Sequence, residues 1–450
     1  MQEDPMKIEL KKAIYYNASF ILRKEYFGGI LFNLKNGRSI QLNKSAYYIW
    51  SCLGAAPIKS LIFDKTIIYS DIIDFIQTCI EEKLLTYNVT NCKVYSAKNL
   101  IYGNYISAPI EGYLYLTNRC NQNCSFCYAK LGDYDKKLNA DQWKIIIDEF
   151  EKLGVCTLGF LGGEPLMERE LLLELLDYSD GKMWRTITTN GTARGGINEE
   201  LAERFSRYSS LEFNVSIESD NAKKHDSIVN FRGAYELAMK SIKNLVKRKI
   251  NVTVKIVVTQ NNYNEIYSLV KKCKELGANG VYLLDYMPAF SDSLESYKNI
   301  RVDNCTYWNI IKDCELLADE SFYVLKNTRY RFLQAQRQLE EKENLLYYAT
   351  KCSAGNINLD IMPNGDAYSC PITVGQREYL LGNALSNSIS DIWNSPSLDV
   401  FRKREKTKLR SSTCIECKNN ELCIGGCPIV SEIFTGSTYG GDIRCPRLTQ

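Results

Sequence analysis

Between residues 111 and 285 the chain alternates six times between a short apolar, often β-branched run and an amphipathic pattern. The runs are EGYLYLT (111–117), VCTLGFL (155–161), RTITT (185–189), LEFNVSI (211–217), NVTVKIVVT (251–259) and NGVYLLD (279–285). Segments such as DQWKIIIDEFEKL and GAYELAMKSIKNLVKRK lie between them, with apolar residues at helical spacing. Repeated βα units build a parallel sheet, whose functional face is the carboxyl end of the strands. The expected fold class is α/β, with a partial (β/α)6 barrel over residues 110–285.

Directly after the first run stands Cys120-Asn-Gln-Asn-Cys124-Ser-Phe-Cys127. This C-x3-C-x2-C spacing offers three thiolates, while a four-iron, four-sulfide cubane needs four ligands. A cubane bound there keeps one iron free for a small molecule, usually S-adenosylmethionine. A zinc knuckle or chance clustering is the competing reading of the spacing alone. The chain has 17 cysteines and one histidine, His225. That leaves little material for Cys/His zinc sites or histidine acid–base chemistry, and pure thiolate ligation suits iron–sulfur clusters.

After the second run comes Gly162-Gly163-Glu164-Pro165, where glycines permit close backbone approach and the carboxylate can accept from an ammonium. Read alone, it is equally a turn with a surface glutamate. Asn190 and Ser216 follow the third and fourth runs, where helix capping is the competing role. Taken together, these motifs resemble the radical SAM enzymes. The resemblance implies that Cys120, Cys124 and Cys127 hold the reducing [4Fe–4S] cluster. It implies further that Phe126 packs by the adenine, that Gly163 and Glu164 take the methionyl amine, and that Asn190 and Ser216 contact the rest of the cofactor. Related enzymes place an arginine four residues beyond the histidine of an H-D pair. Here that position is Val229, and the nearest arginine, Arg232, is the substitute considered.

The tail reads Cys352-x12-Gly365-x4-Cys370, a gap, then Cys414-x2-Cys417-x5-Cys423-x3-Cys427-x17-Cys445. It is turn-rich, and paired CxxC units also occur in zinc ribbons. The pattern resembles the SPASM domain, the auxiliary-cluster extension of radical SAM enzymes that modify peptides and proteins. The resemblance implies two further [4Fe–4S] clusters, three in all. Cys352, Cys370 and Cys427 would hold the first, and Cys414, Cys417, Cys423 and Cys445 the second. Some relatives supply a fourth ligand from a cysteine just upstream, and residues 345–351 contain none, so the resemblance implies three thiolates and an iron open to a substrate thiolate, water or another side chain, distant Cys314 included. Sulfatase-maturating relatives carry an aspartate after the cysteine matching Cys370; Pro371 stands here and cannot transfer protons. The remaining cysteines are expected as small buried hydrophobes.

Residues 1–90 show short β-like runs, then helix-like ones, with Asn36-Gly37 as a hairpin turn signal. This winged-helix-like α+β module resembles the leader-peptide recognition domain of enzymes that modify ribosomally made peptides. Residues 91–109 read as a linker, 286–350 as bridging helices and 351–450 as the cysteine-rich domain. The three modules resemble thioether-forming, sactipeptide-type peptide maturases; carbon–carbon cross-linking, epimerisation or backbone excision of a peptide, and a non-catalytic iron–sulfur electron carrier or zinc-stapled binding protein, are the competing readings. The implied partners are a precursor peptide with its leader and an external electron donor of flavodoxin or ferredoxin type. Hydrophobic residues make up 45% and charged residues 24%, with a net charge of +3. No global electrostatic argument for nucleic acid or membrane follows. No run approaches about 18 apolar residues and MQEDPMKIELKK lacks a signal-peptide core, so the expected location is cytoplasmic.

Overall fold

The computed structural model describes residues 13–16, 19–53, 69–82, 84–87, 93–95, 105–128, 137–326 and 352–448. The chain divides into two compact units, Met1–Ala108 with Glu151–Cys156, and Pro109–Phe150 with Thr157–Gln450.

In the first unit β1 (Tyr15–Tyr16) pairs antiparallel with β5 (Leu85–Thr86). A separate four-stranded sheet has the order β4-β3-β2-β6. Its members are β2 (Phe20–Glu25), β3 (Gly28–Asn33), β4 (Ser39–Asn43) and β6 (Lys93–Tyr95). The Asn36-Gly37 pair does turn β3 into β4, with Gly37 at φ 68° and its N–H donating to the Asn33 carbonyl at 2.9 Å. Asn43 then caps α1 (Lys44–Cys52), its Oδ1 accepting the Ala46 N–H at 2.8 Å. The apolar faces of α1 and of α2 (Tyr69–Glu81) bury Ile49, Trp50, Ile72 and Ile76 against Phe20, Leu22 and Leu31. The stretch expected as a linker contributes β6, parallel to β2. Three residues are too few to show a strand period, and only the pairing reveals it.

The second unit is built on a ten-stranded sheet. Six strands fall on the six apolar runs. These are β7 (Glu111–Tyr115), β8 (Thr157–Leu161), β9 (Trp184–Thr189), β10 (Leu211–Ser216), β11 (Asn251–Val258) and β12 (Gly280–Asp285). They run parallel in chain order. The crossovers carry α3 (Ala140–Lys152), α4 (Arg169–Tyr178), α5 (Glu199–Phe205), α6 (Ala222–Val229), α7 (Ala234–Lys247) and α8 (Ile266–Glu275). Their buried stripes, such as Ala238, Ile242 and Leu245 of α7, make the core with the outward strand residues, such as Val254 and Ile256 of β11. The expected partial (β/α)6 barrel is therefore present.

The sheet extends beyond that expectation at both edges. After the helices α9 (Leu294–Ile300) and α10 (Asn304–Glu315), β13 (Tyr323–Lys326) adds parallel to β12. On the other side β14 (Asn358–Ile361), from the cysteine-rich tail, joins β7 in parallel and leads to β15 (Asp366–Tyr368) and β16 (Gly382–Asn383). The tail thus shares the barrel's sheet, and β15, antiparallel to β14, carries the chain back so that Cys370 lies level with the amino-terminal end of β7. Among the described residues no helix is long and apolar enough to cross a membrane.

Candidate functional site

The cysteine motif forms an irregular loop after β7, pinned from three directions. Asn123 and Ser125 donate their backbone N–H groups to the carbonyls of Val229 and Ile228, the carboxyl end of α6, at 3.1 and 3.0 Å. From the loop after β8, Gly163 and Glu164 donate to the Thr117 and Arg119 carbonyls at 2.7 and 2.9 Å. From the loop after β9, Asn190 Nδ2 donates to Asn121 Oδ1 at 3.0 Å and to Cys120 Sγ at 3.7 Å. The glycines are required by this close approach. A Cβ on Gly162 would lie 2.3 Å from the Thr117 carbonyl oxygen, and one on Gly163 would lie 2.4 Å from that of Arg119.

Glu164 is buried, not a surface turn residue. Its carboxylate accepts the Leu166 N–H at 3.0 Å, the Thr189 hydroxyl at 2.6 Å and the Asn190 N–H at 2.7 Å. Burial nonetheless dominates and pushes its pKa up to about 7. A cation brought to this carboxylate would gain from the same low dielectric. Cys120, Cys124, Cys127, Phe126, Gly163, Glu164 and Asn190 are thus brought together. Ser216 is half-buried at the end of β10, in register with Lys255 of β11. Arg232 is exposed on the turn between α6 and α7 and makes no side-chain hydrogen bond or ion pair among the described residues. His225 is buried with Nδ1 accepting the Glu218 N–H at 3.0 Å, and burial lowers its pKa to about 4, so it is a neutral structural acceptor.

A cavity of about 280 Å³ connects this loop to the tail. Phe126 and Cys127 line it together with Cys352, Cys370 and Cys427. Its walls include Tyr113 and Tyr115 of β7, Lys255 of β11, Tyr282 of β12 and Asp360 of β14. Lys255 Nζ donates to Thr188 Oγ1 at 3.2 Å. These wall residues were not anticipated. Period-two alternation through EGYLY puts Glu111, Tyr113 and Tyr115 on one face and could have flagged the tyrosines. Asp360 could not be found that way, because its place depends on β14 pairing with β7, which sets it opposite Tyr113.

Cys414, Cys417, Cys423 and Cys445 line a second cavity of about 290 Å³. The chain enters it through Ile424, Gly425 and Gly426, consecutive residues at φ 48°, 76° and 79°. Cys305 of α10 lines this cavity too and is exposed, contrary to the expectation of a buried hydrophobe. Cys79, Cys156, Cys273 and Cys314 are buried as expected, while Cys52 is half-buried and Cys92 lies outside the described residues. Desolvation raises the thiol pKa of Cys120, Cys124, Cys370, Cys414, Cys427 and Cys445. Thiols gathered this way ionise only beside a strong positive centre, which suits bound iron. An all-sulfur donor set and the two cysteine-lined cavities fit [4Fe–4S] clusters.

A cysteine loop at the carboxyl edge of a parallel barrel, joined through a shared sheet to a cysteine-rich tail, defines a radical SAM protein with a SPASM extension. The Radical SAM superfamily pattern matches residues 114–273, and the SPASM iron–sulfur cluster-binding domain matches residues 352–418. S-adenosylmethionine and [4Fe–4S] clusters are accordingly its cofactors. The chain is similar to the mycofactocin maturase MftC of Mycolicibacterium smegmatis, with 26% identity over 357 residues, 76% of this chain and 83% of that one. It is also similar to the Fe-coproporphyrin III synthase of Methanosarcina barkeri, with 22% identity over 353 residues, 73% and 86% of the two chains. The fold matches Streptococcus suis SuiB bound to its precursor peptide SuiA, with a TM-score of 0.71 and 20% identity, over 97% of this chain and 100% of that one.

Proposed function

We propose that this radical SAM enzyme modifies a ribosomally made precursor peptide, forming a thioether between a peptide cysteine and a second residue. One observation carries the reading. Cys127 and Phe126 share a cavity with Cys352, Cys370 and Cys427, so the radical-generating site and a three-thiolate site address the same substrate volume. Cys314, buried on α10, does not line that cavity.

When bound, the cofactors supply a hydrogen-abstracting 5'-deoxyadenosyl radical and an iron able to take a substrate sulfur. The chain's residues position the reactants. Cys120, Cys124 and Cys127 hold the first cluster, Glu164 and Gly163 take the methionyl amine, and Asn190 and Ser216 orient the remainder of the nucleoside. Arg232, from its exposed turn, is the weakest member of this set. Cys352, Cys370 and Cys427 present the substrate-side cluster, and Cys414, Cys417, Cys423 and Cys445 hold the other. An extended leader would add as a strand at an edge of the β4-β3-β2-β6 sheet, raising the local concentration of the peptide core. A flavodoxin- or ferredoxin-type donor supplies electrons.

The similarity to MftC, named a maturase, and to SuiB with its precursor peptide supports a peptide substrate. A porphyrin substrate is the second reading, favoured by the synthase similarity. That similarity spans 73% of the chain, whereas the SuiB fold spans 97%. The test is anaerobic incubation of reconstituted enzyme, reductant and S-adenosylmethionine with a short cysteine-containing peptide encoded beside it. The expected product has lost two hydrogens and has a cysteine closed to alkylation. Loss of two hydrogens with every cysteine still alkylated would point to a carbon–carbon link. An unchanged peptide with modified porphyrin would sink the proposal.

A further inference from the structure

Asp442 and Arg444 form an ion pair whose side chains are 3% and 2% exposed. Arg444 Nη2 donates to Asp442 Oδ2 at 2.7 Å, and Arg444 Nε donates to Oδ1 at 2.9 Å. The two ends of this fork belong to different cavities. Asp442 lines that of Cys414, Cys417, Cys423 and Cys445, whereas Arg444 lines that of Cys352, Cys370 and Cys427.

The orientation is held by backbone groups. Cys427 donates its N–H to Asp442 Oδ2 at 3.0 Å, and the Asp442 N–H donates to the Gly425 carbonyl at 2.9 Å. Asn304 Nδ2 donates to the Arg444 carbonyl, and Arg444 Nη1 lies 3.2 Å from Met287 Sδ. Space for the aspartate exists because residue 426 is glycine: a Cβ there would meet the Asp442 Cβ at 2.4 Å. The two charges act unequally on the thiols around them. At Cys427 the pull of Arg444 outweighs the push of Asp442, while at Cys414 and Cys445 Asp442 opposes ionisation. The second cavity also holds Arg447, whose Nη1 donates to Cys417 Sγ at 3.1 Å, and the first also holds Asp360.

We propose that the Asp442–Arg444 pair shifts the reduction potentials of the two tail sites in opposite directions, upward at Cys352, Cys370 and Cys427 and downward at Cys414, Cys417, Cys423 and Cys445. The inference rests on each site holding a [4Fe–4S] cluster. Reduction adds one negative charge, which the buried guanidinium stabilises on its side and the carboxylate opposes on the other. Arg444 and Asp442 are positioning residues, acting through the clusters without reacting themselves.

The test is a redox titration of the anaerobically reconstituted full-length enzyme followed by electron paramagnetic resonance. Signals are assigned with Cys370→Ala and Cys445→Ala. Arg444→Gln is expected to lower the reduction constant of the substrate-side cluster about tenfold, which for one electron is about 59 mV. Arg444→Lys, which keeps the charge, recovers at least half of that shift. Asp442→Asn raises the potential of the other cluster. Unchanged potentials in Arg444→Gln and Asp442→Asn overturn the proposal, as does an equal shift of both clusters in one direction. If Arg444→Gln loses iron, Arg444→Lys and Asp442→Asn decide the matter. A wild-type enzyme with roughly four irons, where three clusters need roughly twelve, would instead defeat the cluster assignment.

Discussion

Glu164 Oε2 accepts the Asn190 N–H at 2.7 Å, while the Asn190 side chain donates to Cys120 Sγ at 3.7 Å. Two strand ends and the cysteine loop are therefore coupled through one buried carboxylate. Its protonation is linked to folding. Burial raises Glu164 from 4.5 to about 7 and Glu218 from 4.5 to about 8. Between these values and 4.5 the folded chain holds protons that the unfolded chain has released.

Stability from this source is thus fully present below about pH 4.5 and lost as pH rises through 7 to 8. In metal-free protein, Glu164→Gln with Glu218→Gln should flatten the decline between those limits by roughly 8 kcal/mol at most, about 3 from Glu164 and about 5 from Glu218. Urea unfolding across that range measures it. A double variant whose slope equals that of the parent would contradict the assignment.

Single cysteine replacements should separate the sites. Cys124→Ala is expected to lose roughly four irons and all cleavage of S-adenosylmethionine. Cys352→Ala should retain cleavage while losing the peptide product. Iron analysis and chromatography of 5'-deoxyadenosine distinguish them, and cleavage abolished in both variants would argue against separate roles.

Gly163→Ala drives a methyl group against the Arg119 carbonyl, which cannot swing aside as a side chain can. A cost of about 1–3 kcal/mol is expected, with at least a tenfold fall in cleavage rate because the cysteine loop must move. Gly181→Ala is the contrast. That residue has φ 69° with nothing within 4 Å of its Cβ, so backbone strain acts there without a clash. Its cleavage rate should match the parent.

In the first unit, Asn43→Ala removes the Oδ1 acceptor of the Ala46 N–H and should cost about 1 kcal/mol. Amide exchange across α1 is the measurement, with faster exchange in the first turn expected. Asn43→Asp retains an acceptor and should behave as the parent.

Six strands and their helices were readable because each run is long enough to show a period and adjacent runs pair in chain order. Strands β6, β13 and β14, three or four residues each, carry no period of their own and exist through their partners. The buried state of Glu164 was likewise hidden, since a Gly-Gly-Glu-Pro turn looks the same at a surface. Its three donors come from residues as far as 26 positions away.

The spacing of Cys120, Cys124 and Cys127, and of Cys414 and Cys417, is local, so the sequence by itself determined that thiols would cluster there. Spacing carries no information about distance across the fold. That Cys127 shares a cavity with Cys352, Cys370 and Cys427, that Asp360 faces it, and that Asp442 and Arg444 point into separate cavities were decided by the pairing of β14 with β7 and by the packing of the tail. The physical reason is that such juxtapositions are made by long-range hydrogen bonding and burial, which only the closed fold brings into being.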